Sequence, residues 1–370
     1  EIADGLNKEL NNIEVLASSP QYNLKSAHEF NQNDKNVNIG MFKGIKVNYI
    51  KSRPRQFSNS SRFFQWLGFN FKAIRFIYKN RKDYKEILIF SYPPTMNLIC
   101  IFTSKILKIN TIYSLWELYP EIAEKLDEQP NRILKFLFKI LDNYSLKNVS
   151  KVVVNSEELK NYLIEKRSIN KNKIYIINHF SPFPKSNFEP NLELEKIFYA
   201  GNIGRPQNIS SFINFFNKQF PQSWNLDIYG AGQEFEDLSK LSKKNININD
   251  YLSRGDLEEK VKDIPYALIC LDYEITIEGF PGKTFDYLNM NKILINFSNP
   301  NSAVSKLIDK YELGFNIDLK KPEKLETTLQ QIKNLEKVNQ ILENISDFQQ
   351  NISNKEIVST KYSSLIRSSS

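Results

Sequence analysis

Histidine and cysteine are nearly missing from this 370-residue sequence, two of each, and glycine is sparse at 12. With only His28 and His179 no histidine cluster can form, and no cysteine spacing suits a metal ion, so no metal site is expected. Cys100 and Cys270 each lie inside an apolar run and read as small buried side chains in a reducing compartment. So little glycine excludes a glycine-rich repeat or low-complexity chain. No run of about 18 apolar residues occurs, so nothing is expected to span a bilayer. No secretory signal is visible either, which makes the cytoplasm the expected location, with association to the inner face of a membrane open. A G-x-G-x-x-G turn is also lacking, which argues against a dinucleotide oxidoreductase.

What remains is the composition of a globular protein, 41% hydrophobic and 25% charged, at a length that fits two ordinary domains. The net charge of +8 is unevenly placed: residues 1–185 carry 29 Lys+Arg against 17 Asp+Glu, the remainder 21 against 25. A basic half joined to a slightly acidic half suits a domain that meets a polyanionic surface, or plain lysine-rich solubility.

Strand and helix patterns alternate along the chain, as in parallel sheets covered by helices. In the first half, strands are expected at 13–17, 45–50, 87–90, 111–115, 151–155 and 174–177, with helices at 62–79, 98–107, 130–144 and 156–165. A proline- and asparagine-containing stretch, 181–191, reads as a linker. Strands then return at 196–199, 225–229, 246–248, 267–271 and 293–297, with helices between them. The expected fold is α/β, two Rossmann-like domains facing across a cleft: residues 1–185, then 186–345, with a helical segment 346–370 packing back on the first domain. Ligands belong at the carboxyl ends of the strands, in that cleft. The chain opens on a helix, 1–10, where a doubly wound domain usually opens on a strand and glycine turn, so a missing first strand is expected.

The strongest chemical signal is residues 278–288, Glu-Gly-Phe-Pro-Gly-Lys-Thr-Phe-Asp-Tyr-Leu. A loop with Gly279, Pro281 and Gly282 runs into a helix starting at Lys283 and Thr284, and a helix start offers N–H groups and a positive dipole end to a diphosphate. Lys283 adds a cation there. Glu278 and Asp286 are placed to accept hydrogen bonds from different hydroxyls of one extended ligand. A second glycine turn, Gly201-Asn202-Ile203-Gly204-Arg205, ends strand 196–199 and lets backbone approach a ligand. A third, Gly230-Ala231-Gly232, ends strand 225–229.

Segment 278–288 resembles the E-x7-E donor motif of retaining GT-B glycosyltransferases of family 4, with Asp in the second acidic place and Pro281-Gly282-Lys283 where the nearest subgroup has Pro-Ser-Lys. The resemblance implies that Glu278 faces the transferred sugar and Asp286 the ribose. The 201–204 turn is similar to that subgroup's Gly-Asn-Leu-Gly. Many relatives carry Arg and Lys hereabouts; this chain has Asn202 and Gln207, leaving Arg205 and Lys283 to hold the diphosphate. Gly230 and Gly232 match the family's Gly-x-Gly-x-Glu turn. Asp250-Tyr251-Leu252-Ser253-Arg254 resembles the segment bordering the base, with direct contact by Arg254 left open. Ser91-Tyr92-Pro93-Pro94 and residues 116–121, Trp-Glu-Leu-Tyr-Pro-Glu, match acceptor-side loops, Glu117 standing where the family has Asp. Asn155-Ser156-Glu157 matches a later turn, and the order is collinear. By this resemblance the chain takes a nucleotide-sugar donor, a UDP-sugar, needs no cofactor or metal, and glycosylates a saccharide or lipid-linked acceptor in cell-surface polysaccharide synthesis. The departures at Asn202, Gln207 and Glu117 keep open a catalytically silent partner for another transferase.

Residues 62–85 interleave aromatic and basic side chains. Phe63, Leu67, Phe71, Ile74 and Tyr78 share one face at helical spacing, which suits either a core helix with snorkelling cations or a peripheral membrane contact. No nucleic-acid module accompanies them, and nucleic acid is not expected as a partner.

Overall fold

The structure, a computed structural model, describes residues 1–10, 12–18, 37–51, 59–122, 132–277 and 280–368. Thirteen strands are present among them: β1 (Glu14–Ser18), β2 (Val37–Phe42), β3 (Ile45–Ile50), β4 (Glu86–Phe90), β5 (Asn110–Leu115), β6 (Lys151–Val154), β7 (Ile174–Ile176), β8 (Lys196–Asn202), β9 (Asn225–Ala231), β10 (Ile246–Asn249), β11 (Tyr266–Cys270), β12 (Ile293–Phe297) and β13 (Gly314–Ile317). They form three sheets, ordered β1-β3-β2, β4-β5-β6-β7 and β10-β9-β8-β11-β12-β13. Strands pair in parallel throughout the two larger sheets.

The long C-terminal sheet follows directly from its sequence. Tyr266–Cys270 and Ile293–Phe297 are buried at every position, as central parallel strands covered on both faces must be. β8 and β11 lie side by side at its centre, so the turns after β8 and β9 and the helix after β11 all open at one edge. The N-terminal half differs from expectation in two respects. Its strands fall into two sheets, because among the described residues β1 pairs with β3 and not with β4. β2 was not anticipated; it closes an antiparallel hairpin with β3 through Lys43 and Gly44, both at positive φ (49° and 80°), the backbone of a tight two-residue turn.

A buried polar network stands behind the 116–121 loop. Arg167, the last residue of the Glu157–Arg167 helix, donates from Nε to Glu121 Oε1 (2.9 Å) and from Nη2 to Oε2 (2.7 Å). It also donates to Asn143 Oδ1 at 2.7 Å and to the Tyr119 carbonyl at 3.2 Å, while Asp142 lies 3.6 Å away. Tyr162 gives Glu121 a further hydrogen bond of 3.1 Å. The final glutamate of the 116–121 loop is therefore a structural anchor.

At the chain's end, the Leu335–Asn351 helix packs into the C-terminal core through Val338, Ile341, Ile345 and Phe348. The next helix, Lys355–Arg367, instead lies on the β4–β7 sheet, where Tyr362 and Ser114 share a 2.8 Å hydrogen bond. It also meets the opening Ile2–Glu9 helix: Lys355 pairs with Glu1 at 2.8 Å and with Asp4. Gly5 makes that approach possible, since a Cβ there would sit 1.8 Å from Ser359 Oγ.

Candidate active site

The Gly282–Asn289 helix begins at the carboxyl edge of the large sheet without a side-chain cap. Helix starts leave backbone N–H groups in want of acceptors, and an anion answers both them and the helix dipole. Glu278 and Gly279, on the approach to this helix, lie outside the described residues. Gly282 is exposed, whereas Thr284 is fully buried and its Oγ1 has no hydrogen-bond partner.

Lys283 points away from the solvent toward the end of β8. Its Nζ donates to the Tyr199 hydroxyl and lies 3.7 Å from the centre of that ring. Tyr199 passes the interaction on, donating to the Asn202 carbonyl at 2.5 Å. Gly201 has φ +132°, and a Cβ there would come within 3.1 Å of Lys283 Nζ. Glycine at this turn therefore serves both the backbone conformation and the space taken by the ammonium. Burial pulls the Lys283 ammonium down to about 7 from the ordinary lysine value. Such a cation is held beneath the turn in want of a counter-charge. Tyr287 fixes the two elements together: its hydroxyl accepts from Ala200 N (2.7 Å) and donates to Ala200 O (2.9 Å).

Around this centre the other sequence-selected residues separate into kinds. Arg205 is exposed in a short turn just beyond Gly204, while Asn202 Nδ2 donates to Gln207 Oε1 at 3.1 Å across that turn. Gly230 and Gly232 have a packing reason of their own. A Cβ on Gly230 would lie 2.2 Å from the Gly201 carbonyl, and one on Gly232 2.0 Å from the Ile203 carbonyl, so both let the β9 turn nest against the β8 turn.

Asp286, one turn into the helix, accepts from Ser181 Oγ at 2.6 Å, and burial raises its pKa. Arg254 opens the Arg254–Lys260 helix and lays its guanidinium over the Phe183 ring at 4.4 Å. Its Nε and Nη2 are buried without hydrogen-bond partners, Nε lying 3.9 Å from Glu258 Oε2, so Nη2 is the donor best placed for an added acceptor. The linker residues Ser181 and Phe183 are thus bound to the Gly282–Asn289 helix, Asn289 Nδ2 adding a 2.7 Å bond to the Phe183 carbonyl.

On the opposite side, Ser91 Oγ accepts from Trp116 N (3.0 Å) and Glu117 N (3.5 Å), which shapes the loop after β5. Glu117 is exposed. His179 provides a link that the sequence alone does not show. Its ring stands 4.6 Å from Trp116 and 5.8 Å from Phe285, bridging the β5 loop and the Gly282–Asn289 helix. Asn155 Nδ2 donates to its Nε2 at 2.9 Å, and burial pulls its pKa down to about 4. The unfolded chain therefore binds a proton near pH 6.5 that the folded chain refuses until about pH 4. Stability contributed by the neutral ring is whole above pH 6.5 and is lost as the pH falls toward 4, by up to about 3 kcal/mol. Denaturant midpoints measured across that window should drop more steeply for the wild type than for His179→Gln.

No protein-family model matches the chain, and no curated protein matches it in sequence. Solved structures do. A sucrose-phosphate synthase of Thermosynechococcus elongatus superposes with a TM-score of 0.70 at 13% identity, covering 99% of this chain and 91% of that one. The Anabaena protein HepE, solved with UDP and glucose, gives 0.66 at 12% identity, covering 99% and 95%. WaaG, a glycosyltransferase of lipopolysaccharide biosynthesis, gives 0.59 at 11% identity, covering 88% of each chain. The architecture is that of GT-B glycosyltransferases.

Proposed function

We propose that this chain is a glycosyltransferase that moves a sugar from a nucleotide diphosphate donor, a UDP-sugar, to a saccharide or lipid-linked acceptor in cell-surface polysaccharide synthesis, with retention at the anomeric carbon. The observation that carries the reading is the Lys283 ammonium, drawn beneath the Gly201 turn at the start of an uncapped helix. In glycosyl transfer the leaving diphosphate gathers charge as the glycosidic bond breaks. Fixed N–H dipoles and a lysine ammonium stabilise that charge without a metal, because they need no reorganisation at the moment of reaction. Arg205, exposed on the neighbouring turn, adds a second cation for the diphosphate. Asp286 takes the ribose hydroxyls, Arg254 offers its Nη2 to the base, and Glu278 positions the sugar. Glu117 serves the acceptor. No described helix is long and apolar enough to cross a membrane, and contact with the inner leaflet is assigned to residues 62–85.

Release of UDP from UDP-sugars, with and without acceptor, tests the reading. Glu278→Ala should reduce it about a hundredfold while UDP itself still binds. Wild-type chain that binds UDP yet never turns over any sugar nucleotide would favour the silent-partner reading, which Asn202 and Gln207 in place of cations motivate.

A further inference from the structure

We propose that the Arg132–Asn148 helix, with the outward face of the neighbouring Asn59–Lys79 helix, is a docking surface for an anionic lipid bilayer. The Arg132–Asn148 helix is amphipathic in the unusual sense. Its inward face carries Asp142 and Ser145, both buried, with Asn143 held by Arg167. Its outward face carries Ile133, Phe136, Leu137, Ile140, Leu141 and Tyr144, between 39% and 67% exposed. These fall at intervals of three and four residues and so make one continuous stripe down the helix. Ordinary surface helices put such a stripe inside, and a contiguous apolar face left in water marks an interaction site.

The second helix continues the surface. Phe63 meets Phe138 edge to face, with ring centres 6.1 Å apart, which sets the helices side by side. Of the residues that share a face by helical spacing, Phe71 and Tyr78 point outward: Phe64, Phe71 and Tyr78 lie seven residues apart and are 70%, 71% and 52% exposed. The inward face belongs to Asn70, Ala73 and Ile77, which pack toward the core because small and branched side chains allow close approach there.

Charge selects the occupant. Exposed Arg132, Lys139 and Lys147 flank the first stripe, and exposed Lys72, Arg75 and Lys79 flank the second. Neither helix has an exposed acid: the only acidic residue in the two is Asp142, buried beside Arg167. A second copy docked through a two-fold axis would set these cations against their own kind. An anionic bilayer answers both features, with acyl chains for the apolar stripe and headgroups for the lysines. The surface rests on the inner-leaflet contact of the proposed function and extends it to a second helix, but it is built on different residues from the nucleotide site, whose binding of nucleotide holds or fails separately.

Flotation of the full chain with vesicles of phosphatidylcholine alone, or with about a third phosphatidylglycerol, tests the assignment. Binding should appear on the anionic vesicles, weaken with salt, and fall at least about tenfold in Phe136→Ser/Ile140→Ser. Lys139→Glu/Lys147→Glu should erase the preference for the anionic lipid. Both variants replace exposed residues, and an unchanged melting temperature will show that they fold. Failure of the wild type to float with either vesicle would overturn the proposal. So would a dimer in light scattering that Phe136→Ser/Ile140→Ser dissociates without any effect on vesicle binding.

Discussion

Lys283→Ala is expected to lower sugar transfer by about two to three orders of magnitude, the range seen when one preorganised donor to a developing anion is removed. The magnitude follows from where the ammonium sits. It lies half-buried against Tyr199 under the Gly201 turn, with its pKa pulled down to about 7 by desolvation. A diphosphate arriving there replaces the lost solvation with an opposite charge and restores the charged form. Nucleotide binding should therefore take up a proton above pH 7, and its affinity should fall as the pH rises further. Lys283→Ala loses both the rate and the proton uptake. Lys283→Arg will not substitute well, because a bulkier planar guanidinium would have to fit where the ammonium lies 3.7 Å from the Tyr199 ring centre. Steady-state rates with saturating donor, together with titration heats in buffers of different ionisation enthalpy, check both parts.

The second large effect is on stability. Arg167→Met should cost about 3–5 kcal/mol, since it leaves Glu121 buried without its cation. Asp142, raised to about 7 by burial and restrained by Arg167, can escape the same penalty by taking a proton. Glu121 keeps only the Tyr162 hydroxyl among its side-chain hydrogen-bond partners given above. Because Arg167 also holds the Tyr119 carbonyl, the 116–121 loop should loosen and transfer to acceptor should suffer more than donor binding. Replacing both members, as in Arg167→Met/Glu121→Leu, should recover much of the lost stability, since no unpaired charge then remains at that position. Urea unfolding of the two variants beside the wild type measures this.

These two sites were legible to different degrees. Residues 282–289 announce themselves, because a glycine-proline loop before a helix is a local pattern and Lys283 stands at its first turn. Tyr199 does not: a tyrosine inside an apolar strand reads as core, and only the fold brings it to Lys283, 84 residues away. Two histidines cannot make a cluster and so point to nothing in the sequence, although a single half-buried ring can join two lobes by stacking. Glu121 and Arg167 are 46 residues apart, so the sequence shows two ordinary charges and no pair. Apart from β2 and β13 the strands are readable from alternation, but their division into sheets is not, since β1 chooses β3 over β4 by tertiary placement. Periodicity likewise exposes the stripe on Arg132–Asn148 without saying which side faces the core. Its outward direction is set by the Arg167 network, which claims Asp142 and Asn143 for the inside. Gly230 and Gly232 stood out as a turn, yet what forces them is the backbone of Gly201 and Ile203.

Calorimetric titration of the full chain with UDP, GDP and ADP, in wild type and Lys283→Ala, bears most directly on the donor site. At least one nucleoside diphosphate should bind the wild type with proton uptake above pH 7, and Lys283→Ala should lose that uptake and at least about tenfold in affinity. Binding of equal strength in both proteins, or no binding of any nucleoside diphosphate to the wild type, would contradict it.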